Sequence, residues 1–235
     1  MNAIIRTDVG KVMHNNQDSY LVLSGSYPIY AVADGMGGHK AGNIASKMAV
    51  EIIASELSGE TPSEELLSSA FKNVNREIYQ RQLTDRSLAG MGTTLTVLWQ
   101  TKESFLLGHV GDSRCYLLRD DKLFQMSTDH SLVAELVQSG VLSPEMAENY
   151  PYRNIITRAV GTDKRIKTDI STFDKEDKDI WLLCSDGLTE YVKPKELLET
   201  LLNYSPDEAA DRLIKLALDR GGRDNITLLI LGAAL

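Results

Sequence analysis

The chain lacks the features of disordered, membrane-spanning and nucleic-acid-binding proteins. Of its 235 residues, 43% are hydrophobic and 25% are charged, a balance that supports a sizeable core and disfavours disorder. The longest apolar run, ITLLILGAAL at 226–235, is well short of the roughly 18 residues that cross a bilayer. Because 25 Lys and Arg face 33 Asp and Glu, the formal net charge is −8, and no basic stripe is available for nucleic acid. We expect neither a membrane span nor a nucleic-acid partner.

Cysteine is also scarce. Cys115 and Cys184 each lie within an apolar run, and neither shows the Cys-x-x-Cys or Cys/His spacing of a zinc or redox site. We therefore expect two buried, reduced thiols. The first residues, MNAIIRTDVG, lack the basic, apolar and small-residue regions of a secretory signal. These observations predict a cytoplasmic protein, and we expect it to be a monomer.

No internal repeat, low-complexity tract or linker interrupts the chain, so we expect one domain over residues 1–235. Short strand-like runs occupy residues 20–23, 29–33, 94–99, 104–110, 114–118, 122–126, 166–173, 179–184 and 225–231. Asp120 and Asp121 predict a hairpin turn between two of these strands. A helical stretch is expected over residues 131–149.

Helical periodicity marks two long segments early in the chain. In the first, Ile44, Met48 and Ile52 recur at every fourth residue. The second has a wider apolar face, formed by Leu67, Ala70, Phe71, Val74 and Ile78. Capping boxes with proline at the first helical position are predicted at 61–64 and, before a late helix, at 205–208. Gly221 or Gly222 can close that late helix.

The strands are grouped rather than regularly alternated with helices, which disfavours a parallel, doubly wound sheet. Tight turns between consecutive strands favour antiparallel sheets, and the grouped helices must cover the outer faces of those sheets. We predict an α+β fold with two sheets packed face to face.

Five aspartates lie where apolar strands begin or end. They are Asp18, Asp34, Asp112, Asp186 and Asp224. Any one alone is typical of an Asx turn or a glycine-assisted hairpin. Five together would repel one another and lose hydration, so they require a cation or a raised pKa. Oxygen ligands with no accompanying Cys and few His favour Mg²⁺ or Mn²⁺ over zinc. Spacing alone leaves open whether the five converge.

The segment DGMGGHKAG, residues 34–42, follows a strand and precedes a helix, as a phosphate-binding loop would. It matches neither GxxxxGK[ST] nor GxGxxG, because Ala41 follows the lysine and Lys40 stands where the last glycine should be. The segment therefore does not indicate nucleotide binding.

Eight motifs cover nearly the whole chain. They are TDVGKVMHNNQDSY (7–20), VADGMGGHKAG (32–42), GMGTTLTV (90–97), GHVGDSRCY (108–116), DHSLV (129–133), ITRAVG (156–161), CSDGLTE (184–190) and GGRDNIT (221–227). As an ordered set, they resemble the metal-dependent Ser/Thr protein phosphatases of the type 2C (PPM) family, in its compact bacterial form. The resemblance implies a four-layer αββα sandwich of two central antiparallel sheets flanked by helices, with a flap subdomain at 131–157.

The resemblance also implies a site with two Mg²⁺ or Mn²⁺ ions. Asp34 would bridge the two ions, and the backbone carbonyl of Gly35 would complete one of them. Asp186 and Asp224 would bind the other ion, and Asp18 would ligate directly or hold metal-bound water. Water bridging the ions would then attack phosphorus in one step, without a phosphoenzyme.

A third, weaker metal site is implied at Asp112 together with Asp186. Glu190 stands near it, where the family commonly has an aspartate with a shorter reach. His39, in the glycine-rich turn, is the candidate general acid for the leaving oxygen. The alternative is that His39 is an exposed turn residue without a catalytic role.

Structural roles are expected for His109, in a strand, and for His130, at a helix start. Arg114 and Arg158 fit the motifs and are expected to pair with nearby carboxylates or carbonyls.

Two positions depart from the family pattern. Met13 stands where relatives usually carry an arginine that would clamp the substrate phosphate. By strand alternation, Lys11 and His14 would point elsewhere. In the flap, Tyr150 replaces a histidine and could contact substrate or pack within the flap.

The leading hypothesis is a cytoplasmic Mg²⁺- or Mn²⁺-dependent phosphatase that removes phosphate from Ser or Thr of proteins and opposes a bacterial Ser/Thr kinase. The alternative is a weakly active or non-catalytic, metal-bound domain that binds phosphoproteins. A third reading is a metal hydrolase of small phosphoesters or nucleotides.

Overall fold

The computed structural model describes residues 2–37, 41–148 and 150–232. Within them, two antiparallel sheets pack face to face. The first contains, in spatial order, β1 (Asn2–Asp8), β11 (Ile226–Gly232), β10 (Ile180–Cys184), β7 (Arg114–Arg119) and β8 (Lys122–Gln125). The second contains β2 (Asp18–Leu23), β3 (Ile29–Met36), β5 (Leu95–Gln100), β6 (Ser104–Val110) and β9 (Asp169–Asp174), and the short β4 (Gly92–Thr93) pairs with β3. The predicted α+β fold with two antiparallel sheets is confirmed.

Helices cover both outer faces of the sheets. The long α1 (Ala41–Leu57) and α2 (Glu64–Thr84) share a hydrophobic cluster with the second sheet. On the other side, α6 (Pro194–Asn203) and α7 (Pro206–Asp219) pack on the first sheet. A third cluster fills the space between the sheets, where the ring of Trp181 lies 5.1 Å from that of Phe105. Three short helices, α3 (Leu132–Gln138), α4 (Pro144–Glu148) and α5 (Asp186–Thr189), lie in the connections.

Strand β1 is absent from the sequence-based prediction, yet it pairs with β11 along its whole length. Its pattern is weak because it ends in Arg6, Thr7 and Asp8, which look like the polar residues of a turn. Arg6 instead forms ion pairs with Asp207 and Asp211 of α7, at 2.9 Å and 2.5 Å. An edge strand can therefore contain a charged residue when a neighbouring helix supplies residues of opposite charge.

The apolar face predicted for α1 is only partly correct, since Met48 and Ile52 pack against the core while partly exposed. Ile44 is 36% exposed, whereas the small residues Ala45 and Ala49, followed by Ile53, are fully buried. Close packing of α1 on the sheet favours small side chains, and these contribute little to a periodic pattern of large apolar residues. The predicted face of α2 is buried throughout, as Phe71 illustrates.

Three local predictions have mixed outcomes. The cap of α2 is Ser63, whose side chain accepts a hydrogen bond from Leu66 N, so the box predicted at 61–64 is misplaced. The box at Ser205 is present, with Pro206 at the first helical position. The stretch predicted as helical over 131–149 contains two short helices, α3 and α4, and the connection between them includes Gly140 with a φ of 74°.

Cys115 and Cys184 are buried and free, as predicted. Burial raises the pKa of Cys184 to about 12 and raises that of Cys115 well above its ordinary value, so neither thiol ionises near neutral pH. In the part of the chain that the structure describes, no helix has both the length and the apolar character needed to span a membrane.

Candidate active site

The antiparallel pairing of the strands brings the five aspartates to one end of the two sheets. Asp18, at the start of β2, is directly opposite Asp34, near the end of β3. Asp186 follows β10, and Asp224 precedes β11, the strand paired with β10. Asp112 lies in the turn between β6 and β7. We call these five residues the aspartate cluster.

Asp34 is at the electrostatic centre of the aspartate cluster. Burial raises its pKa well above the ordinary value, and repulsion from the other members raises it further, in the order Asp18, Asp186, Asp224 and Asp112. The carboxyl group of Asp34 thus interacts electrostatically with the other four, so the aspartates predicted from the sequence do converge in space.

Three other members of the cluster also hold a proton more tightly than a free aspartate. Burial, with smaller contributions from neighbouring carboxylates, raises the pKa of Asp18 to about 6 and that of Asp112 to about 6. The pKa of Asp186 is raised well above its ordinary value by burial and then by repulsion from Asp112. The cluster is therefore an arrangement that a positive charge would stabilise.

Unsatisfied oxygens show that the donor set suits a hard cation. In the described residues, the Oδ1 atoms of Asp18, Asp112 and Asp186 are buried and have no hydrogen-bond partner. A buried carboxylate oxygen without a partner carries a large desolvation cost, which a divalent ion would offset. Over the same ranges, no three His, Cys, Asp or Glu side chains are already arranged as a ligand set.

These raised pKa values predict that the metal-free protein loses stability as the pH rises. An aspartate with a pKa near 4 when unfolded and about 6 when folded contributes stability that is complete below the lower value and is lost as the pH rises through the higher one. For Asp18 and Asp112 the loss is on the order of 3 kcal/mol each. In EDTA, thermal unfolding should give a lower Tm at about pH 7.5 than at about pH 5.

Asp18→Asn is the matched variant for this measurement, because it removes one titrating group without changing side-chain size. It should flatten the pH dependence of Tm in EDTA. An unchanged slope in the variant, or a Tm of the parent protein that rises over this interval, would contradict the assignment.

A serine and a threonine that sequence reasoning missed hold Asp18 in place. Ser185 Oγ donates to Asp18 Oδ2 at 2.8 Å and accepts from the backbone N–H of Thr227 at 3.0 Å. Because Ser185 precedes Asp186, one short segment contributes a carboxylate and also orients another. The CSDG motif contains this serine, but only the aspartate of the motif was predicted to belong to the site.

Asn225 was also missed, although it adjoins Asp224. Its side-chain amide donates to the carbonyls of Val9 and Asn15, at 2.9 Å and 3.1 Å, and accepts from Gln17 N at 2.7 Å. These bonds fix the segment between β1 and β2 against the start of β11. The loop leading to Asp18 is thereby tied to the residue that follows Asp224.

Met13 lies in this connection, where the described backbone forms a loop rather than a strand. The strand alternation used to orient Lys11 and His14 is therefore wrong. The backbone N–H of Lys11 donates to Gly222 O at 2.6 Å, and this contact places that part of the loop near the end of α7.

Gly35 is required by the close approach of two backbones. A Cβ atom at this position would lie 2.1 Å from the carbonyl oxygen of Gly42 and 2.7 Å from that of Gln17. Its N–H donates to the same Gln17 oxygen at 3.1 Å. The glycine therefore lets β3, α1 and the loop before β2 meet beside Asp34.

A cleft of about 290 Å³ opens beside the cluster. Asp112 and Asp186 line it, together with Glu190 and residues of the segment 131–157. Arg153, from that segment, reaches across to Glu190 with an Nη2–Oε1 distance of 3.1 Å. Glu190 thus lines the same cleft as Asp112 and Asp186 and pairs with an arginine there.

His39, the predicted general acid, lies outside the described residues. His109 is buried, with Nδ1 3.0 Å from Thr96 Oγ1 and Nε2 3.0 Å from Gly111 O. Burial, and then the neighbouring His130, lower the pKa of His109 to about 4, so its ring is neutral. His109 therefore has the structural role expected for it.

His130 and Arg158 form a linked set with Asp169. Nδ1 of His130 accepts from Gly111 N at 3.0 Å, so Nε2 carries the proton and donates to Asp169 Oδ2 at 3.0 Å. Arg158 donates to the other oxygen of Asp169 at 2.9 Å. These contacts support the turn that precedes Asp112.

Arg114 donates to both carboxylate oxygens of Asp129, with its shortest contact at 2.7 Å, which is the pairing expected of it. Tyr150 lies edge-on to Tyr152, with ring centroids 6.0 Å apart. Of the two roles considered for Tyr150, packing within its own segment has a contact to support it.

Known proteins match both the sequence and the fold. A family model described as protein phosphatase 2C matches residues 11–215. The serine/threonine phosphatase stp of Listeria innocua is 40% identical over 239 residues, which cover 98% of this chain and 95% of that protein. The crystal structure of the Mycobacterium tuberculosis serine/threonine phosphatase PstP/Ppp has a TM-score of 0.91 and 37% identity, with 97% of each chain covered. The catalytic domain of PstP in complex with two manganese ions has a TM-score of 0.87 and 36% identity, covering 97% of this chain and 96% of that one.

The fold and the matched sequences define the class of protein as a protein phosphatase. The chain belongs to the protein phosphatase 2C family, whose model spans most of its length. The resemblance inferred from the eight motifs is confirmed, and so is the prediction of a serine/threonine phosphatase from a metal-dependent family.

Proposed function

We propose that this chain hydrolyses phosphoserine and phosphothreonine in proteins, using divalent cations held by the aspartate cluster, and so reverses the action of a bacterial Ser/Thr kinase. The observation that carries the proposal is the convergence of five aspartates at one end of the two sheets, three of them with a buried, unsatisfied oxygen. The relative that shares this fold and binds two manganese ions supports the choice of Mn²⁺ or Mg²⁺.

Within the cluster, Asp34 would contact both ions, because its carboxylate lies opposite Asp18 and is repelled by the other aspartates. The carbonyl of Gly35 would complete the site of one ion. Asp186 and Asp224 would hold the second ion, and Asp18, fixed by Ser185, would complete the set or orient a water. When bound, the two ions would activate water for attack on phosphorus and offset charge on the phosphoryl oxygens.

Asp112 and Asp186 would hold a third, weaker ion, because repulsion from Asp112 contributes to the raised pKa of Asp186 and both residues line the same cleft. Glu190 lines the same cleft, and its ion pair with Arg153 competes with any role as a ligand. We therefore assign the third site to the two aspartates alone.

Residues of this chain outside the aspartate cluster would position the substrate, and no cysteine would form a covalent phosphoenzyme. Both thiols are buried with raised pKa values, so neither is available as a covalent nucleophile. His39 stays our candidate for donating a proton to the seryl or threonyl oxygen.

We propose that residues 1–235 form one phosphatase domain and that residues 131–157 form a flap over the cleft. We also propose that the protein is a cytoplasmic monomer, and the free cysteines support a reducing compartment.

Hydrolysis of p-nitrophenyl phosphate, a phosphothreonine peptide and ATP, each with Mn²⁺, with Mg²⁺ and with EDTA, tests this function. We expect turnover of the peptide and of p-nitrophenyl phosphate with either metal and none in EDTA. Preferred turnover of ATP would identify a hydrolase of small phosphoesters instead. No turnover, with metal still bound by calorimetry, would indicate the phosphoprotein-binding alternative, in which Met13 reflects a lost phosphate clamp.

A further inference from the structure

A groove with basic walls lies between α2 and the loop of residues 161–168, and the hydrolysis proposed above makes no use of it. It encloses about 750 Å³. The groove is bordered by the cations Lys72, Arg76, Lys164 and Arg165 and by the apolar surfaces of Tyr79 and Leu83. We call these six residues the basic groove.

We propose that the basic groove docks an acidic segment of the phosphoprotein substrate, separate from the residue that carries the phosphate. This inference rests on the proposed function, since it names a second contact for the same substrate. It adds a specificity determinant to a site whose phosphate-clamping position is occupied by Met13.

The charge of the groove is opposite to that of the protein. The chain has a formal net charge of −8, yet no Asp or Glu is among the described residues that line the groove. Lys72, Lys164 and Arg165 are exposed and form no ion pair with described residues, and Arg76 pairs only with the adjacent Glu77, at 3.1 Å. Four cations on an acidic protein would steer and hold a negatively charged chain.

The groove also offers apolar surface. Leu83 is 66% exposed, and Tyr79 is partly exposed on the same helix. A segment that alternates carboxylates with an occasional large apolar side chain could contact both parts. Nucleic acid matches the charge but would leave the leucine uncovered, so an acidic peptide is the better complement.

Buried contacts hold the two walls of the groove together. Asn75, buried on α2, accepts from Gly161 N at 2.8 Å and donates to Asp163 O at 2.9 Å. Gly161 has a φ of 88°, and a Cβ there would lie 2.2 Å from Ile78 Cγ2. The loop is therefore fixed against α2, and a fixed groove loses little entropy when a ligand binds.

The same loop connects the groove to the aspartate cluster. Just before it, Val160 pairs with Thr93, and Thr93 Oγ1 donates to the backbone carbonyl of Asp34 at 2.9 Å. These buried contacts fix the groove in position relative to Asp34, so one substrate chain would present its acidic segment and its phosphorylated residue at a constant separation.

The double variant Lys164→Glu with Arg165→Glu tests the proposal. Two phosphothreonine peptides are compared, identical except that one carries a distant segment of Glu and Leu and the other carries Gln and Ser there. We expect KM for the acidic peptide to rise about tenfold in the variant, with kcat unchanged. KM for the neutral peptide and turnover of p-nitrophenyl phosphate should stay the same.

Lys102→Glu with Lys178→Glu is the matched control. Both lysines are exposed, neither forms an ion pair with described residues, and the double change alters net charge by the same amount. Lys102 lies in the turn after β5, at the opposite end of that strand from the aspartate cluster. An equal rise in KM in this control would overturn a specific groove and indicate general repulsion.

A binding measurement separates the groove from catalysis. A fluorescein-labelled, unphosphorylated peptide of Glu and Leu should bind the parent protein by anisotropy and bind the groove variant about tenfold more weakly. Binding that survives when no phosphoester is hydrolysed would uphold the groove and reject only the proposed function. Equal binding by both proteins, or tighter binding of a single-stranded oligonucleotide than of the peptide, would overturn the proposal.

Discussion

Replacing Asp34 with Asn should reduce metal-dependent kcat by at least about 1000-fold, equivalent to about 4 kcal/mol of transition-state stabilisation. Asn preserves size but removes the charge at the centre of the aspartate cluster, and an amide is a weak ligand for Mg²⁺ or Mn²⁺. The measurement is turnover of a phosphothreonine peptide at saturating Mn²⁺, together with the metal affinity by calorimetry.

The same variant should be more stable than the parent protein in EDTA, because it removes a buried charge that four neighbours repel. Loss of activity with an increased Tm separates a functional role from damage to the fold. Asp121→Asn is the control, since this hairpin residue has a φ of 56° that Asn tolerates. Metal-dependent turnover retained in the Asp34 variant would show that the cluster is not the catalytic centre.

Adding a single methyl group at Gly35 should lower kcat about 100-fold and destabilise the protein by about 3 kcal/mol. Gly35→Ala forces a Cβ atom to within 2.1 Å of the Gly42 carbonyl oxygen, so β3 and α1 must separate beside Asp34. Backbone atoms on both sides cannot rotate away, as a flexible side chain could.

Gly25→Ala is the matched control, because a Cβ there meets nothing within 4 Å and the residue has no positive φ. It should change the free energy of unfolding by less than about 0.5 kcal/mol and leave turnover intact. Urea denaturation and peptide turnover should be measured for both variants. Similar behaviour of the two alanines would show that the close approach at Gly35 is not required.

The sequence predicted most of the fold because its strands are short, strongly apolar and bounded by turn residues. The failures have physical causes. Arg6 belongs to an edge strand because α7 supplies its partners, Asp207 and Asp211. The buried face of α1 includes several small residues such as Ala45, which carry little hydrophobic signal but allow close packing.

The candidate site likewise contains residues that the sequence predicts and residues that it does not. Aspartates at strand ends were recognisable because charge beside an apolar run is unusual. The residues that orient them were not, because Ser185 and Asn225 look like ordinary turn residues until β10 and β11 are paired. The orientation of the loop around Met13 depended on long-range bonds to Asn225, which no local pattern reveals.

The position of β11 between β1 and β10 ties the site to the integrity of one sheet. β11 pairs with β1, which is far from it in the sequence, and with β10, which leads to Asp186. Thr227 of β11 also donates its backbone N–H to Ser185, the residue that holds Asp18. Local unfolding that separates β11 from β10 would therefore disturb Asp224, Asp186 and Asp18 together, so the carboxylates of the site form and are lost as a unit with this sheet.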